Sequence, residues 1–569
     1  MARVFGTRPA TSRFDREARA ADGGVHIQGP DQFMFEVVIV GSGPTSLYTI
    51  AALLDRPAGL SITVLEREEM SGTGMPFRPE ETDSVLLANI ASIEVPPICE
   101  SLLDWITGLP DAVLSHLGIS EDDLHERHFF PRILLGAYLR SQLGRLADLA
   151  EERGHRLHIY NSAPVVDVVR VAGGYTVTAL KEGEVLSFSA RSVVLATGHV
   201  WPEDDPEHGY YGSPWPSVKL HDIPATNIDI LGSSLSGIDA ALSIACAHGR
   251  FEEGGSRYVP GPEAEGLHIT LMSRKGLLPE ADFWCDLPYL PLEYATPERI
   301  EALQQRTEGY DTEDLFDLLR EEIAANDPEY AAAIDLPSLT LENFADAYFA
   351  PRMGKDQFAL AAANLEEVER NVNTLTTVPW RYAILRMHEA LAPLLPAMPE
   401  HERQRFKTYL APVFIDNYAA VPPQTIRRLL ALAEMGSLSV VSVEDDCEVL
   451  PPTRKEPTRL REKGGERRFD YFVDSRGQSA LPASALPFPT LLEQLQADPQ
   501  APLPLSPSFA LSGPDGTWRG LYCAGLPFVM HLFPFAQGIT VSHEFGEVLA
   551  KGVDIDRRAH DELTDQAVA

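Results

Sequence analysis

The chain alternates between two hydrophobic periodicities. Phe35–Val40 is a short, nearly unbroken apolar run rich in β-branched residues, the pattern of a strand buried on both faces of a parallel sheet. It ends in Gly41-Ser42-Gly43-Pro44-Thr45-Ser46 and passes into helix-like Leu47–Leu54; a second strand, Ser61–Leu65, then ends at Glu66. Strand, glycine turn, helix, strand and acid in that order make a dinucleotide-binding unit. The pattern returns later. Asn227–Leu231 reads as a strand, Gly232-Ser233-Ser234-Leu235-Ser236-Gly237 as the turn, and Ile238–Ala245 as the helix; a further strand, His268–Met272, runs into Ser273-Arg274-Lys275. From about residue 296 to 435 the apolar spacing changes to about 3.6 residues, as in Leu315–Ile323 and Ile426–Leu432, which predicts helices.

These elements predict an α/β fold: two Rossmann-like dinucleotide-binding domains with a helical insertion. The expected order is a flexible arm (1–32), the first part of an FAD domain (33–222), an NADPH domain (223–295) and the insertion (296–435), which could carry substrate. A return segment (436–550) then completes a discontinuous FAD domain, followed by a tail (551–569). The return rests on Gly520–Gly525 and Phe535–Ile539, which would bring a strand and a helix N-terminus, with Gly525 and Gln537, back to the first cofactor. The run Pro451–Arg468 reads as an exposed hairpin loop.

Each turn residue has a physical task. Gly41 permits the tight turn, and Gly43 lets the backbone approach a pyrophosphate that the helix N-terminus then attracts. Ser46 stands where a third glycine would sit, so helix and strand should pack slightly further apart. Glu66 can accept from both ribose hydroxyls. In the second unit Gly232 and Gly237 keep their places but the middle glycine is Ser234. The strand there ends in Ser273-Arg274-Lys275 instead of an acid. A hydroxyl beside two cations suits a 2′-phosphate, which favours NADPH over NADH.

Composition narrows the class. A chain of 569 residues exceeds one core, and 44% apolar with 23% charged residues is ordinary for a globular protein. The net charge of −36 argues against nucleic acid and anionic membrane as partners. Cys99, Cys246, Cys285, Cys447 and Cys523 form no CxxC pair, which excludes a dithiol centre and fits a reducing cytoplasm. No apolar run reaches the roughly 18 residues of a membrane span. The arginine-bearing first 32 residues lack the apolar core of a secretory signal.

Two dinucleotide sites in one chain imply hydride transfer from a nicotinamide to a flavin. With no cysteine pair, no iron–sulfur cysteine cluster and no metal-ligand motif, O₂ is the remaining acceptor, through a flavin hydroperoxide that passes one oxygen atom to substrate. Oxygenation of carbon or sulfur stays open beside nitrogen, although the fingerprint FxGxxxHxxx[WPY] is missing. So does a redox-sensing flavoprotein without turnover.

The segments Val40–Ser46, Leu86–Ile90 with Leu103–Trp105, Phe130–Leu139 and Ser273–Pro279 together resemble the FAD-NAD(P)-binding protein family, related to flavin-dependent N-hydroxylating monooxygenases. The length and helical insertion resemble the nitrosuccinate-forming aspartate N-monooxygenases. The resemblance implies FAD held by Gly41, Gly43 and Glu66, NADPH held by Gly232, Gly237 and Arg274, and Asn89 beside the flavin ring. It implies a small amine or amino-acid substrate oxidised with O₂. Arg132, opening a helix after Pro131, is either an FAD-phosphate ligand or a surface cation. An aspartate substrate would need cations, for which Arg352, Arg386 and Lys407 are candidates, each also readable as a solvated helix face.

Overall fold

The computed structural model describes residues 35–536 and 538–568, so the expected N-terminal arm and Gln537 lie outside the described residues. In chain order the first unit comprises β1 (Phe35–Val40), α1 (Pro44–Leu54), β2 (Ser61–Leu65), α2 (Arg132–Glu152) and β3 (Arg156–Tyr160). An antiparallel excursion follows, β4 (Val165–Val171), β5 (Gly174–Lys181) and β6 (Glu184–Leu195). The second unit comprises β7 (Tyr210–Tyr211), β8 (Asn227–Leu231), α3 (Leu235–His248), the hairpin β9 (Gly249–Glu252) and β10 (Arg257–Pro260), and β11 (His268–Ser273). A helical module intervenes, including α4 (Thr312–Asn326), α5 (Gln357–Thr374), α6 (Pro379–Leu391) and α7 (Pro423–Glu434). Then come β12 (Leu438–Ser442), β13 (Glu448–Leu450), β14 (Thr458–Glu462), β15 (Gly465–Phe469), β16 (Phe472–Asp474), β17 (Ala510–Gly513), β18 (Gly516–Cys523) and the long α8 (Gly538–Val568).

The first sheet runs β17-β18-β6-β1-β2-β3, parallel except for β17 and the β4–β5 branch. β1 lies at its centre, with Ile39 beside Val64 and Val194, and Val37–Ile39 are wholly buried. α1, α2 and α8 cover one face; Phe488, Leu491 and Trp518 help cover the other. The second sheet repeats the plan as β12-β11-β8-β16-β7, all parallel. Its core includes Ala361, Leu365 and Val368 of α5 and Ile426 and Leu429 of α7, so the helical module packs directly on it. The module keeps a core of its own around Phe316, Phe344, Phe406 and Phe414, into which Phe535 also inserts.

Three boundaries differ from expectation. Residues 436–474 do not return to the first unit: β12 pairs with β11 and β16 with β8, both in the second sheet. The first unit therefore ends near residue 200, since β7 joins the second sheet, and it resumes near residue 480, where Ala483, Leu486, Phe488 and Leu491 pack on the first sheet. The run expected as a hairpin loop supplies two strands of a three-stranded antiparallel sheet, β13-β14-β15. Nor is 551–569 a tail, because α8 continues unbroken to Val568.

Candidate functional site

At the end of β1, Gly41 has φ +99°, and a Cβ there would run into the Ala196 carbonyl of the neighbouring strand. Its N–H donates to Leu65 O at 2.9 Å, fixing the turn to the end of β2. Gly43 is the N-cap of α1, and the nearest atom to a Cβ there would be Gly74 Cα at 3.8 Å, so the space over it is open. No acidic side chain sits in the first turn and no side chain caps it, so the positive helix end acts on whatever occupies that space. Ser46 is fully buried and donates from Oγ to Gly41 O at 2.8 Å. The hydroxyl thus ties the helix to its own turn where a glycine would have relied on close approach.

Glu66 is fixed at the end of β2. Its Oε2 accepts from Ser42 N–H (3.0 Å) and Ser42 Oγ–H (2.6 Å), and its Oε1 accepts from Glu68 N–H (3.0 Å). Arg78 lies 3.7 Å away. These groups border a cavity of about 420 Å³, closed on its far side by Ala196–Trp201 and by the start of α8. Its wall carries three buried polar atoms with no partner: Thr197 Oγ1, His199 Nδ1 and Trp201 Nε1. Buried groups of this kind are normally hydrogen-bonded, so the wall is prepared for a polar occupant. His199 stacks on Trp201 at 4.9 Å, and burial pushes its pKa down to about 4, so it stays neutral. A cavity with a glycine cradle at a helix N-terminus, a fixed acid and unpaired polar atoms fits FAD. Gly525 adjoins it; a Cβ there would lie 2.7 Å from Thr197 Oγ1.

The second turn differs in construction. Gly232 has φ +132° and donates to Met272 O at 2.7 Å, while a Cβ on Gly237 would collide with the Gly232 carbonyl. Ser234 is the exposed N-cap of α3, and its side chain makes no capping bond. Ser233, not Ser234, is turned inward, donating to Leu277 O (2.5 Å) and bonded to Ser273 Oγ (2.8 Å). Ser273 therefore holds the turn together. Arg274 and Lys275 project into an open groove of about 740 Å³, whose opposite wall includes Lys355 and Gln357 of the helical module.

The remaining expected residues scatter. Asn89 belongs to the strap between β2 and α2, and its Oδ1 is buried without a partner. Arg132 does not border the FAD cavity. Its guanidinium pairs with Asp239 of α3 at 2.7 Å, donates to Leu87 O at 3.0 Å and lies over Trp215. Arg352 is paired with Asp416 and flanked by Tyr348 and Phe349. Arg386 donates to the carbonyls of Leu290, Pro291 and Tyr382 and to Asn326 Oδ1. Lys407 is exposed on its helix. The three candidate substrate cations thus form no common site; two of them hold the module together.

Four carboxylates that no motif announces are also desolvated by the fold: Glu94, Asp282, Glu389 of α6 and Glu544 of α8. Burial, then Glu94, raises Asp282 to about 7; burial, then Glu544 and Glu94, raises Glu389 to about 7. Burial raises Glu94 and Glu544 as well. Tyr289 donates to Glu94 at 3.4 Å. Glu389 and Glu544 keep exposed surface although neighbouring protein partly desolvates them. Glu544 lies on the same stretch of α8 as Ser542 and Phe545, which line the FAD cavity. The four come from widely separated segments with no shared spacing, so no sequence signal was available.

The five thiols are free and lie on separate elements. Burial pushes Cys246, Cys285 and Cys523 up to about 12. Among the described residues no His, Cys, Asp and Glu side chains group as a metal site, and no helix is long and apolar enough to cross a membrane.

Comparison with known proteins gives two family matches: FAD-NAD(P)-binding over residues 38–200, and a YdhS-like middle domain over residues 296–418. The uncharacterized protein YdhS of Escherichia coli (strain K12) is 40% identical over 524 residues, 91% of this chain and 97% of that protein. Among solved structures, the ornithine N-hydroxylase of Kutzneria sp. 744 matches with TM-score 0.48 and 13% identity, covering 92% of this chain and 99% of that one. The cadaverine monooxygenase DfoA from Erwinia amylovora matches with TM-score 0.48 and 13% identity, covering 92% and 95%.

Proposed function

The chain belongs to the YdhS family of FAD-NAD(P)-binding proteins, and from that premise we propose that it is an NADPH- and O₂-dependent flavin monooxygenase oxidising the nitrogen of a small amine. FAD and a nicotinamide dinucleotide are its cofactors. The observation that carries the reading is the pairing of two glycine turns at helix N-termini in one chain with no thiol pair to receive electrons. Bound FAD supplies the hydride acceptor and the centre that reacts with O₂.

The chain's own residues set the conditions. His199, kept neutral by burial, and Trp201 stack on each other in the cavity wall. Nitrogen oxidation needs a free lone pair, whereas an aliphatic amine arrives as its ammonium. Asp282 and Glu389, each with a pKa near 7, can hold that cation and accept its proton at a carboxylate oxygen. Their charge favours an amine with a further positive group and disfavours a dicarboxylate such as aspartate. Nitrosuccinate formation from aspartate is the finer reading that the likeness in length and insertion motivates, and these carboxylates favour it less than a cationic amine.

The test is a panel of diamines, basic amino acids and aspartate, with NADPH oxidation, O₂ uptake and product mass recorded on FAD-loaded protein. A cationic amine should stimulate NADPH oxidation by about tenfold or more and gain one oxygen on nitrogen. Stimulation by aspartate alone overturns the cation preference. Oxygen found on carbon or sulfur, or no product from any compound, overturns the reaction.

A further inference from the structure

The groove beyond β11 is walled by two parts of the chain. One wall is the turn Arg274-Lys275-Gly276 with Ser439 and Ser442 of β12; the other is the loop Met353–Gln357 that enters α5. Its carboxylates are already engaged. Asp356 accepts from Phe358 and Ala359 N–H as the cap of α5, Glu462 accepts from Glu444 N–H, and Glu444 accepts from Lys463 N–H. The cations divide differently. Lys275 lies over the Phe349 ring at 4.5 Å, while Arg274 and Lys355 are exposed and, among the described residues, have no carboxylate at ion-pair distance.

Lys355 is also held in place. The Gln357 side-chain amide donates to the carbonyls of Lys355 and Arg352, both at 3.1 Å, and its Oε1 accepts from Leu278 N–H at 3.2 Å. One side chain thus fastens the Lys355 loop to the segment carrying Arg274. Two cations without ion-pair partners thus face one groove, beside carboxylates that are held by backbone N–H groups, in a protein of net charge −36.

We propose that Lys355, supplied by the helical module, acts with Arg274 as a ligand of the dinucleotide 2′-phosphate, so that the module discriminates NADPH from NADH. A phosphomonoester dianion spans two cations better than one, and Arg274 supplies planar donors while Lys355 supplies a point charge. The inference rests on the reading of the second cradle as an NADPH site.

Binding of 2′,5′-ADP and 5′-AMP to the FAD-loaded full chain, measured by calorimetry, separates the two claims. The unaltered protein should bind 2′,5′-ADP more than about tenfold tighter than 5′-AMP. Lys355→Ala should weaken 2′,5′-ADP by about five- to twentyfold, leave 5′-AMP and the melting temperature unchanged, and be largely restored by Lys355→Arg. If Lys355→Ala changes nothing while Arg274→Ala weakens 2′,5′-ADP, the role of Lys355 is overturned and the NADPH reading stands. If the unaltered protein shows no preference for 2′,5′-ADP, both fall together.

Discussion

Asp282 loses hydration without gaining a cation of its own. The nearby Arg381 is turned toward Glu280 at 3.3 Å, and Glu94 adds repulsion, so the carboxyl is raised to about 7. The consequence for stability has a definite sign. Below about pH 4 the group is protonated both folded and unfolded. Between about pH 4 and 7 only the unfolded chain releases the proton, so stability falls through that window, and the deficit is complete above 7. Asp282→Asn should therefore be as stable as the unaltered protein near pH 4 and more stable at pH 8 by about 1–3 kcal/mol, seen as a higher melting temperature, while losing amine-stimulated NADPH oxidation. A variant less stable at pH 8 would show that Asp282 is charged and paired. At this scale legibility follows locality. Gly41, Gly43 and Glu66 were readable because turn, helix and acid lie within one short unit, whereas Asp282 acquires its chemistry from Glu94, remote in sequence.

Among the elements, α8 decides whether the first cavity has a second wall. It lies along α1, and a Cβ on Gly546 would come within 2.7 Å of Tyr48 Cβ and carbonyl carbon. About one to two turns earlier its N-terminal residues Gly538, Ile539 and Ser542 border the cavity. Gly546→Val should push the helix away, cost about 1–3 kcal/mol and lower the flavin-to-protein absorbance ratio. Gly144, in the middle of α2 with nothing within 4 Å of a Cβ, is the matched control; Gly144→Ala should stabilise by about 0.5–1 kcal/mol with full flavin content. The strands and first helices of both units were legible from their periodicity. The second half of α8 was not, because Asp554-Ile555-Asp556-Arg557-Arg558 resembles a solvated tail, although Leu549, Ala550 and Val553 are buried. The sheet membership of β12 and β16 was equally hidden, since a parallel strand carries no mark of its partner.

For the whole molecule the question is what holds one dinucleotide unit against the other. Arg132 opens α2 of the first and reaches Asp239 on α3 of the second, both nearly buried. Sequence alone left Arg132 between a phosphate ligand and a surface cation, and the contact with Asp239 is a third role that only the assembled units reveal. Removing one partner leaves the other charge buried and uncompensated, whereas replacing both with apolar side chains removes two desolvation terms at once. Arg132→Met should thus destabilise by about 3–5 kcal/mol, and Arg132→Met/Asp239→Leu should recover most of that loss. FAD should be retained by the double variant, because Arg132 does not border the FAD cavity. Hydride transfer depends on the relative pose of the two sites, so flavin reduction by NADPH in a stopped-flow experiment should slow by about tenfold in the double variant. If Arg132→Met instead releases FAD while its melting temperature holds, the guanidinium serves the cofactor and not the junction, and the relative position of the units is set elsewhere.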